Sequence, residues 1–257
     1  MQYASLASGS KGNCHALNDG KKILLVDAGV SFLQIKKRFQ TINWYIESVQ
    51  GVAITHEHGD HTKAIAMILK HTDWDILATA DTLLAIEKTG LEIPISRWKE
   101  IKAGNKLAWK GWQIYPFSIS HDAVDPVAYR IEFGDISTAI ITDLGYATTL
   151  VADYCKELDF LVLESNHDVE MLREGTYDPS LKKRILSRDG HLSNDQCAGL
   201  LKKIITPKLK NVVLAHLSQQ NNDPALARLA STEVISQTGI NTAIYVATQD
   251  KEMVIEL

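Results

Sequence analysis

The chain has 257 residues, 45% of them hydrophobic and 23% charged. That balance suits a folded globular protein long enough to bury a full core, and it excludes a disordered or fibrous chain. The formal net charge of −4 shows no overall basic bias of the kind nucleic-acid binders carry, so charge alone selects no partner class.

Taken along the chain, short β-branched and apolar runs alternate with amphipathic stretches. The N-terminal run Met1-Gln2-Tyr3-Ala4-Ser5-Leu6 lacks a charged start followed by an apolar stretch, so it does not read as a secretory signal. A Gly-rich turn, Ser8-Gly9-Ser10-Lys11-Gly12-Asn13-Cys14, lies between the first strands. A strand over Lys22–Asp27 leads to a helix over Phe32–Phe39 with Ser31 at its N-cap, then a strand over Gly51–Thr55 and a helix over Lys63–His71. Next come a strand at Asp75–Thr79 and a helix at Asp81–Lys88 that should stop at Gly90. Strands at Gln113–Ser118, Val127–Phe133 and Ile136–Thr142 follow, with Gly111-Trp112 and Gly134-Asp135 as hairpin turns. A helix at Thr148–Glu157 and a strand at Phe160–Glu164 precede a helix at Asn194–Ile205 capped by Ser193. A strand at Asn211–Ala215, a helix at Pro224–Thr238 between Asp223 and Gly239, and a strand at Thr242–Ala247 close the pattern.

Hairpins crowd the first half while helices recur throughout, which argues against a purely parallel, doubly wound sheet. The expectation is a mixed α/β (α+β) fold with two mixed sheets packed face to face and helices on the outer faces. No low-complexity linker interrupts the chain, so one domain over residues 1–257 is the simplest organisation. No apolar run approaches the ~20 residues a bilayer span needs. Cys14, Cys155 and Cys197 form no Cys-x-x-Cys pair, so neither a thiolate metal site nor a disulfide framework is expected. These features together predict a cytoplasmic protein with no membrane partner.

The strongest chemical signal is His56-Glu57-His58-Gly59-Asp60-His61. A buried-type strand runs into it and an amphipathic helix leaves it. Residues two apart at a strand end point the same way, so His56 and His58 can grip one ion, while the turn swings Asp60 and His61 toward a second position. Imidazoles beside a hard carboxylate suit Zn²⁺ or Mn²⁺, and also admit Fe²⁺. One motif cannot complete two sites. His121, Asp143 and His216 each end a later strand-like run, where a buried sheet meets an exposed site, and are the candidates for the remaining ligands.

With Leu25-Val26-Asp27-Ala28-Gly29, the His-x-His-x-Asp-His run, His121, Thr142-Asp143 and His216 in this order, the chain resembles the metallo-β-lactamase superfamily over nearly its whole length. The resemblance implies a four-layer αβ/βα sandwich with its site at one edge. It implies a first metal on His56, His58 and His121, a second on Asp60, His61 and His216, and Asp143 bridging them. Asp27 would prop the metal loop through hydrogen bonds without ligating. The Gly-rich turn, Glu164-Ser165-Asn166-His167-Asp168, Gly190-His191-Leu192-Ser193-Asn194 and His216-Leu217-Ser218-Gln219-Gln220-Asn221-Asn222 resemble, more narrowly, the bacterial YycJ/WalJ-type metallohydrolases, described as DNA 5′-to-3′ exonucleases. His167 reads as a supporting residue behind the ligands rather than a ligand.

What this resemblance implies is a binuclear phosphodiesterase acting on nucleic acid, DNA ahead of RNA. Two divalent ions lower the pKa of a shared water toward ~7 and neutralise charge in an in-line displacement. Asp60 belongs to both ligand and catalytic sets, and His191, positioned by Glu164, is the candidate proton donor. Ser8, Ser10, Lys11 and Asn13, with Ser193, Asn194, Ser218 and Asn221, are candidates for phosphate and substrate contacts. Superfamily nucleases often pair, so a homodimer is admitted. A small-molecule cyclic phosphodiesterase stays open beside the nuclease, as does a metal-binding scaffold that has lost its chemistry. A β-lactam hydrolase is disfavoured, since that group usually places Cys where this chain has Asp143.

Overall fold

The computed structural model describes residues 1–257. In chain order the first half holds β1 (Gln2–Ala7), β2 (Cys14–Asn18), β3 (Ile23–Val26), α1 (Phe32–Thr41), β4 (Val49–Ala53), α2 (Gly59–Thr62), α3 (Ile65–His71), β5 (Asp75–Ala78), α4 (Ala80–Glu87) and β6 (Trp98–Glu100). The second half holds β7 (Leu107–Trp109), β8 (Trp112–Ser118), β9 (Val127–Phe133), β10 (Ile136–Ile141), α5 (Thr149–Tyr154), β11 (Phe160–Glu164), α6 (Val169–Glu174) and α7 (Pro179–Ile185). It ends with α8 (Asn194–Ile204), β12 (Asn211–Ala215), α9 (Pro224–Ser236), β13 (Ala243–Val246) and β14 (Met253–Glu256).

The strands form two seven-stranded mixed sheets, ordered β14-β1-β2-β3-β4-β5-β6 and β13-β12-β11-β10-β9-β8-β7. In each, an antiparallel part gives way to a parallel part: β3, β4, β5 and β6 run parallel in the first, and β10, β11, β12 and β13 in the second. The expected layering is present. Tyr3, Leu24, Trp112, Tyr129 and Phe160 belong to the core between the sheets. Ile35, Phe39, Ile65 and Ile68 fasten α1 and α3 onto the outer face of the first sheet, and Val151, Leu200, Leu201 and Ala227 fasten α5, α8 and α9 onto the second. No helix is long and apolar enough to cross a membrane.

The sequence signals for helix starts hold. Ser31 and Ser193 each close a capping box, with Gln34 and Gln196 returning the bond, so two exposed backbone donors are satisfied at each start. Asp223 caps α9 ahead of Pro224. The expected helix over Lys63–His71 is present as α3, starting two residues later at Ile65, with a separate short turn before it. Lys63 and Ala64 separate a four-residue turn, α2, from α3, because the Ala64 N–H bonds back to the Ala28 carbonyl instead of continuing the helix. That turn carries Asp60 and His61.

Candidate metal centre

The parallel strands of both sheets deliver their C-terminal ends to one edge of the sandwich, where the site is built. Asp27 follows β3, Thr55 and His56 follow β4, Asp143 follows β10, Glu164 ends β11 and His216 follows β12. Asp27, Asp143 and His216 all adopt left-handed backbone, with φ of 63°, 56° and 55°. A residue with a Cβ reaches that region only at a cost, and such strain concentrates at functional sites. Here it turns the chain abruptly at the strand end and aims each side chain into the cluster.

Buried hydrogen bonds then fix which nitrogen each ring presents. Asp27 is fully buried and accepts from Thr55 N at 2.8 Å, Thr55 Oγ1 at 2.9 Å and His61 Nδ1 at 2.8 Å. Thr55 Oγ1 in turn accepts from His56 Nδ1 at 2.9 Å. Glu164, also fully buried, accepts from four donors: Leu144 N, Leu192 N, His191 Nδ1 at 2.8 Å and His216 Nδ1 at 2.7 Å. His121 Nδ1 faces the Gly190 carbonyl at 3.3 Å. With Nδ1 engaged on His56, His61, His121 and His216, every one of those rings turns Nε2 inward, as ligating histidines supported from behind do. His58 offers Nδ1, 3.1 Å from His56 Nε2.

The inward-facing atoms form overlapping groups. Ligand atoms of His56, His58 and His121 lie within 4.8 Å of one another, as do those of Asp60, His61 and His216, those of His56, His61 and Asp143, and those of Asp143, Glu164, His191 and His216. Asp143 stands between, with Oδ2 3.0 Å from His61 Nε2 and Oδ1 3.8 Å from His121 Nε2. His121 Nε2 and His216 Nε2 are buried with no hydrogen-bond partner. Buried polar atoms are rarely left so; the donor set therefore fits divalent cations.

Electrostatics point the same way. Burial works against charge on His61 and His216, but Asp143 and Asp27 outweigh it at His61, holding its pKa well above the histidine range. At His216 burial is likewise outweighed, by Asp143 and Glu164, and the pKa is raised to about 9. His56 and His121, where burial dominates, are pushed down. Against its own burial, Glu164 is lowered to about 2 by His191 and His216. The clustered carboxylates thus demand positive charge, which protons supply when no ion is present.

The cluster opens into a cavity of about 250 Å³ lined by Ser10, His58, Asp60, His121, Asp143, Asn166, Tyr177, Leu181, Arg184, Ile185, His191, His216 and Ser218. A larger surface cavity, about 860 Å³ between α1 and α3, holds none of the expected ligands. Of the phosphate-contact candidates, Ser10 and Ser218 line the site, and Lys11 lies exposed beside it with Ser10 and Asp60 on a neighbouring groove. The others serve inside the protein. Ser8 Oγ accepts from His216 N, Asn13 accepts from Gly9 N and approaches His61, Ser193 caps α8, Asn194 bonds Ser165 and Asn222, and Asn221 is buried outside the cavity wall. His167 is buried, both ring nitrogens lack a partner, and burial lowers its pKa to about 4. Sequence reasoning missed Thr55 as the support shared by Asp27 and His56, and it missed Asn166, Tyr177 and Arg184. Arg184 stands in the run Lys182-Lys183-Arg184, whose like charges read as a solvated helix face, and only the folding of α7 over the site singles it out.

Residues 22–217 match the family model described as the beta-lactamase superfamily domain. The chain is 36% identical to exodeoxyribonuclease YycJ of Bacillus anthracis over 239 residues, 93% of this chain and 90% of that protein. It is 35% identical to exodeoxyribonuclease WalJ of Streptococcus pneumoniae over 95% of this chain and 91% of that one. Its fold is that of the metallo-beta-lactamase fold protein YhfI of Bacillus subtilis, with a TM-score of 0.73 at 17% identity over 99% of both chains. On the strength of these matches, the chain belongs to the β-lactamase superfamily, in the group of the YycJ and WalJ proteins.

Proposed function

We propose that the chain is a binuclear, metal-dependent exodeoxyribonuclease of the cytoplasm, folded as one domain, that shortens DNA from the 5′ end. Two supports carry the reading: the similarity to YycJ and WalJ over nearly the whole chain, and two ligand groups joined through Asp143 with the Glu164–His191 pair beside them. Membership of the family implies divalent ions; we assign one to His56, His58 and His121, a second to Asp60, His61 and His216, and Asp143 to both. When bound, such a pair supplies a water of lowered pKa and neutralises charge on a phosphoryl group.

The remaining work falls to the side chains. Asp27 and Thr55 hold His56 and His61 in the tautomers that leave Nε2 free. Glu164 does the same for His216 and, through His191 Nδ1, orients the one histidine of the cavity outside both ligand sets. Its Nε2 is then free to deliver a proton to the departing oxygen of the phosphodiester. Ser10 and Ser218, on the cavity wall, are hydrogen-bond partners for the phosphate.

The decisive experiment follows a 3′-labelled, 5′-phosphorylated duplex DNA with Mn²⁺-loaded protein, beside a matching RNA and a His58→Ala control. Shortening of the DNA from the 5′ end, lost in the control, is expected. His191→Ala should lower turnover by about 10²–10⁴ with unchanged metal content; full activity in that variant would remove the proton-donor role. Intact metal loading without cleavage of either polymer would move the assignment to a small phosphodiester.

A further inference from the structure

The site cavity, about 250 Å³, is smaller than the roughly 300–1,000 Å³ of sites that enclose a drug-sized ligand. Most of a polymeric substrate must therefore lie across its rim. One side of that rim is α7 and the turn after it. Tyr177, Leu181, Arg184 and Ile185 line the cavity from this side, and Arg184 is the only lysine or arginine on its wall, against the carboxylates of Asp60 and Asp143. The Arg184 side chain is 55% exposed and pairs with Asp122, itself 33% exposed and adjacent to His121. An ion pair this open to solvent holds weakly, so the guanidinium can exchange Asp122 for a phosphate, whose geometry it matches through two parallel N–H donors.

The turn beyond α7 is pinned in place. A Cβ on Gly190 would lie 2.2 Å from the Ile185 carbonyl oxygen, and one on Gly145 would lie 2.3 Å from that of Arg188. The turn is thereby pressed against the loop that follows Asp143. This contact sets the Arg188 guanidinium 4.5 Å over the ring of Tyr146, an aromatic residue 44% exposed and close in the chain to Asp143. An exposed ring stacked with a guanidinium fills no core. Flat π surfaces beside a cationic rim are the means by which unpaired nucleic-acid strands are held.

We propose that this rim is the track of the substrate strand: Arg184 binds the phosphate next to the scissile one, and Tyr146, stacked with Arg188, carries an unpaired nucleobase. The inference rests on the nuclease reading and refines it, because the strand crossing the rim is single, so a duplex enters by a frayed or overhanging end.

The test uses the full Mn²⁺-loaded chain and a 3′-fluorescein single-stranded oligodeoxynucleotide with nuclease-resistant phosphorothioate linkages. Binding is followed by anisotropy across a salt series, and cleavage of the ordinary oligonucleotide is measured in parallel. Arg184→Gln should lower the slope of log affinity against log salt by about 0.7, the loss of one phosphate contact on a single strand, and Arg184→Lys should restore it. Tyr146→Ala should weaken binding about 5-fold or more without changing the slope. Lys70→Gln, an exposed charge on α3 that does not line the cavity, should change neither. A wild-type slope in Arg184→Gln together with wild-type affinity in Tyr146→Ala overturns the track, and leaves the nuclease reading standing if DNA is still cleaved. The expected changes in a protein that binds but cleaves no DNA support the track and overturn the nuclease reading. Absence of binding by the wild type overturns the track.

Discussion

At the cluster, Asp27 and Glu164 orient the candidate ligands: each accepts the Nδ1 proton of a neighbouring histidine and leaves Nε2 to face inward. The residue types were legible in the sequence, since the His-x-His-x-Asp-His run names four of the clustered groups. The tautomers were not, and neither were the left-handed conformations of Asp27, Asp143 and His216. Both depend on partners far away in the chain. A pH prediction belongs here. Folded His216 holds its proton up to about 9, against an ordinary value of 6.5, and His61 is shifted the same way. Their contribution is fully present below about pH 6.5 and is lost as pH rises toward 9. His56 and His121, lowered by burial, act with the opposite sign, losing stability as pH falls below 6.5, where the unfolded chain takes up protons. The metal-free protein should therefore be most stable near pH 6.5. Thermal unfolding in EDTA across pH 5–9 checks this, and a melting temperature that climbs steadily to pH 9 would refute it. Loading with metal, which replaces those protons, should flatten the alkaline side.

Between elements, the close approach that carries Asp60 and His61 depends on glycine at one position, Gly29, and not at another, Gly59, two residues before His61. A Cβ on Gly29 would lie 1.6 Å from the Asp60 carbonyl oxygen and 2.7 Å from Asn13 N, whereas one on Gly59 would meet nothing within 4 Å. Gly29→Ala must push the α2 turn away from the loop after β3, breaking the contacts of Asn13 N with Asp60 O and of Ala28 N with His61 O. It should cost at least about 3 kcal/mol and lower metal content. Gly59→Ala should keep or slightly raise stability, by up to about 1 kcal/mol. Urea unfolding of both variants reads the contrast, and equal stabilities would contradict it. Elements with strong internal signals were readable in advance: Phe32–Phe39, Asn194–Ile205 and Pro224–Thr238 all carry caps and come within a few residues of the observed helices. β1 and β2 were expected only as the strands either side of the Ser8–Cys14 turn, without bounds, and β6, β7 and β14 were not assigned. The last three have three or four residues each, too few for a period to register, and they exist because a neighbouring strand supplies their hydrogen bonds. α6 and α7 escaped for a related reason: each is a short helix whose place over the site depends on tertiary packing.

For the molecule as a whole, the two sheets repeat one plan, three antiparallel pairings followed by three parallel ones. Asp27 and Asp143 occupy the same place in that plan, each just beyond the first strand of the parallel part and each in left-handed backbone. Asp27 spends its carboxylate on Thr55 and His61 Nδ1, whereas Asp143 turns its oxygens to the Nε2 side of His61 and His121. The sequence could not display this correspondence, since it lies in strand pairing and not in repeated letters. It has a consequence for stability. His56, His58, Asp60 and His61 come from the first half of the chain, and His121, Asp143 and His216 follow strands of the second sheet, so ions held by all seven, as proposed, would tie the two sheets together at the edge. An ion that binds only the folded chain, at about 1,000 times its Kd, stabilises it by about 4 kcal/mol. At about 2–4 °C per kcal/mol for a chain of this size, loading should raise the melting temperature by about 8–16 °C and give one transition. Calorimetry of EDTA-treated and metal-loaded protein measures both. A melting temperature indifferent to metal would exclude ligation across the two halves, and two separate transitions in the loaded protein would mean that each sheet with its helices folds as its own unit.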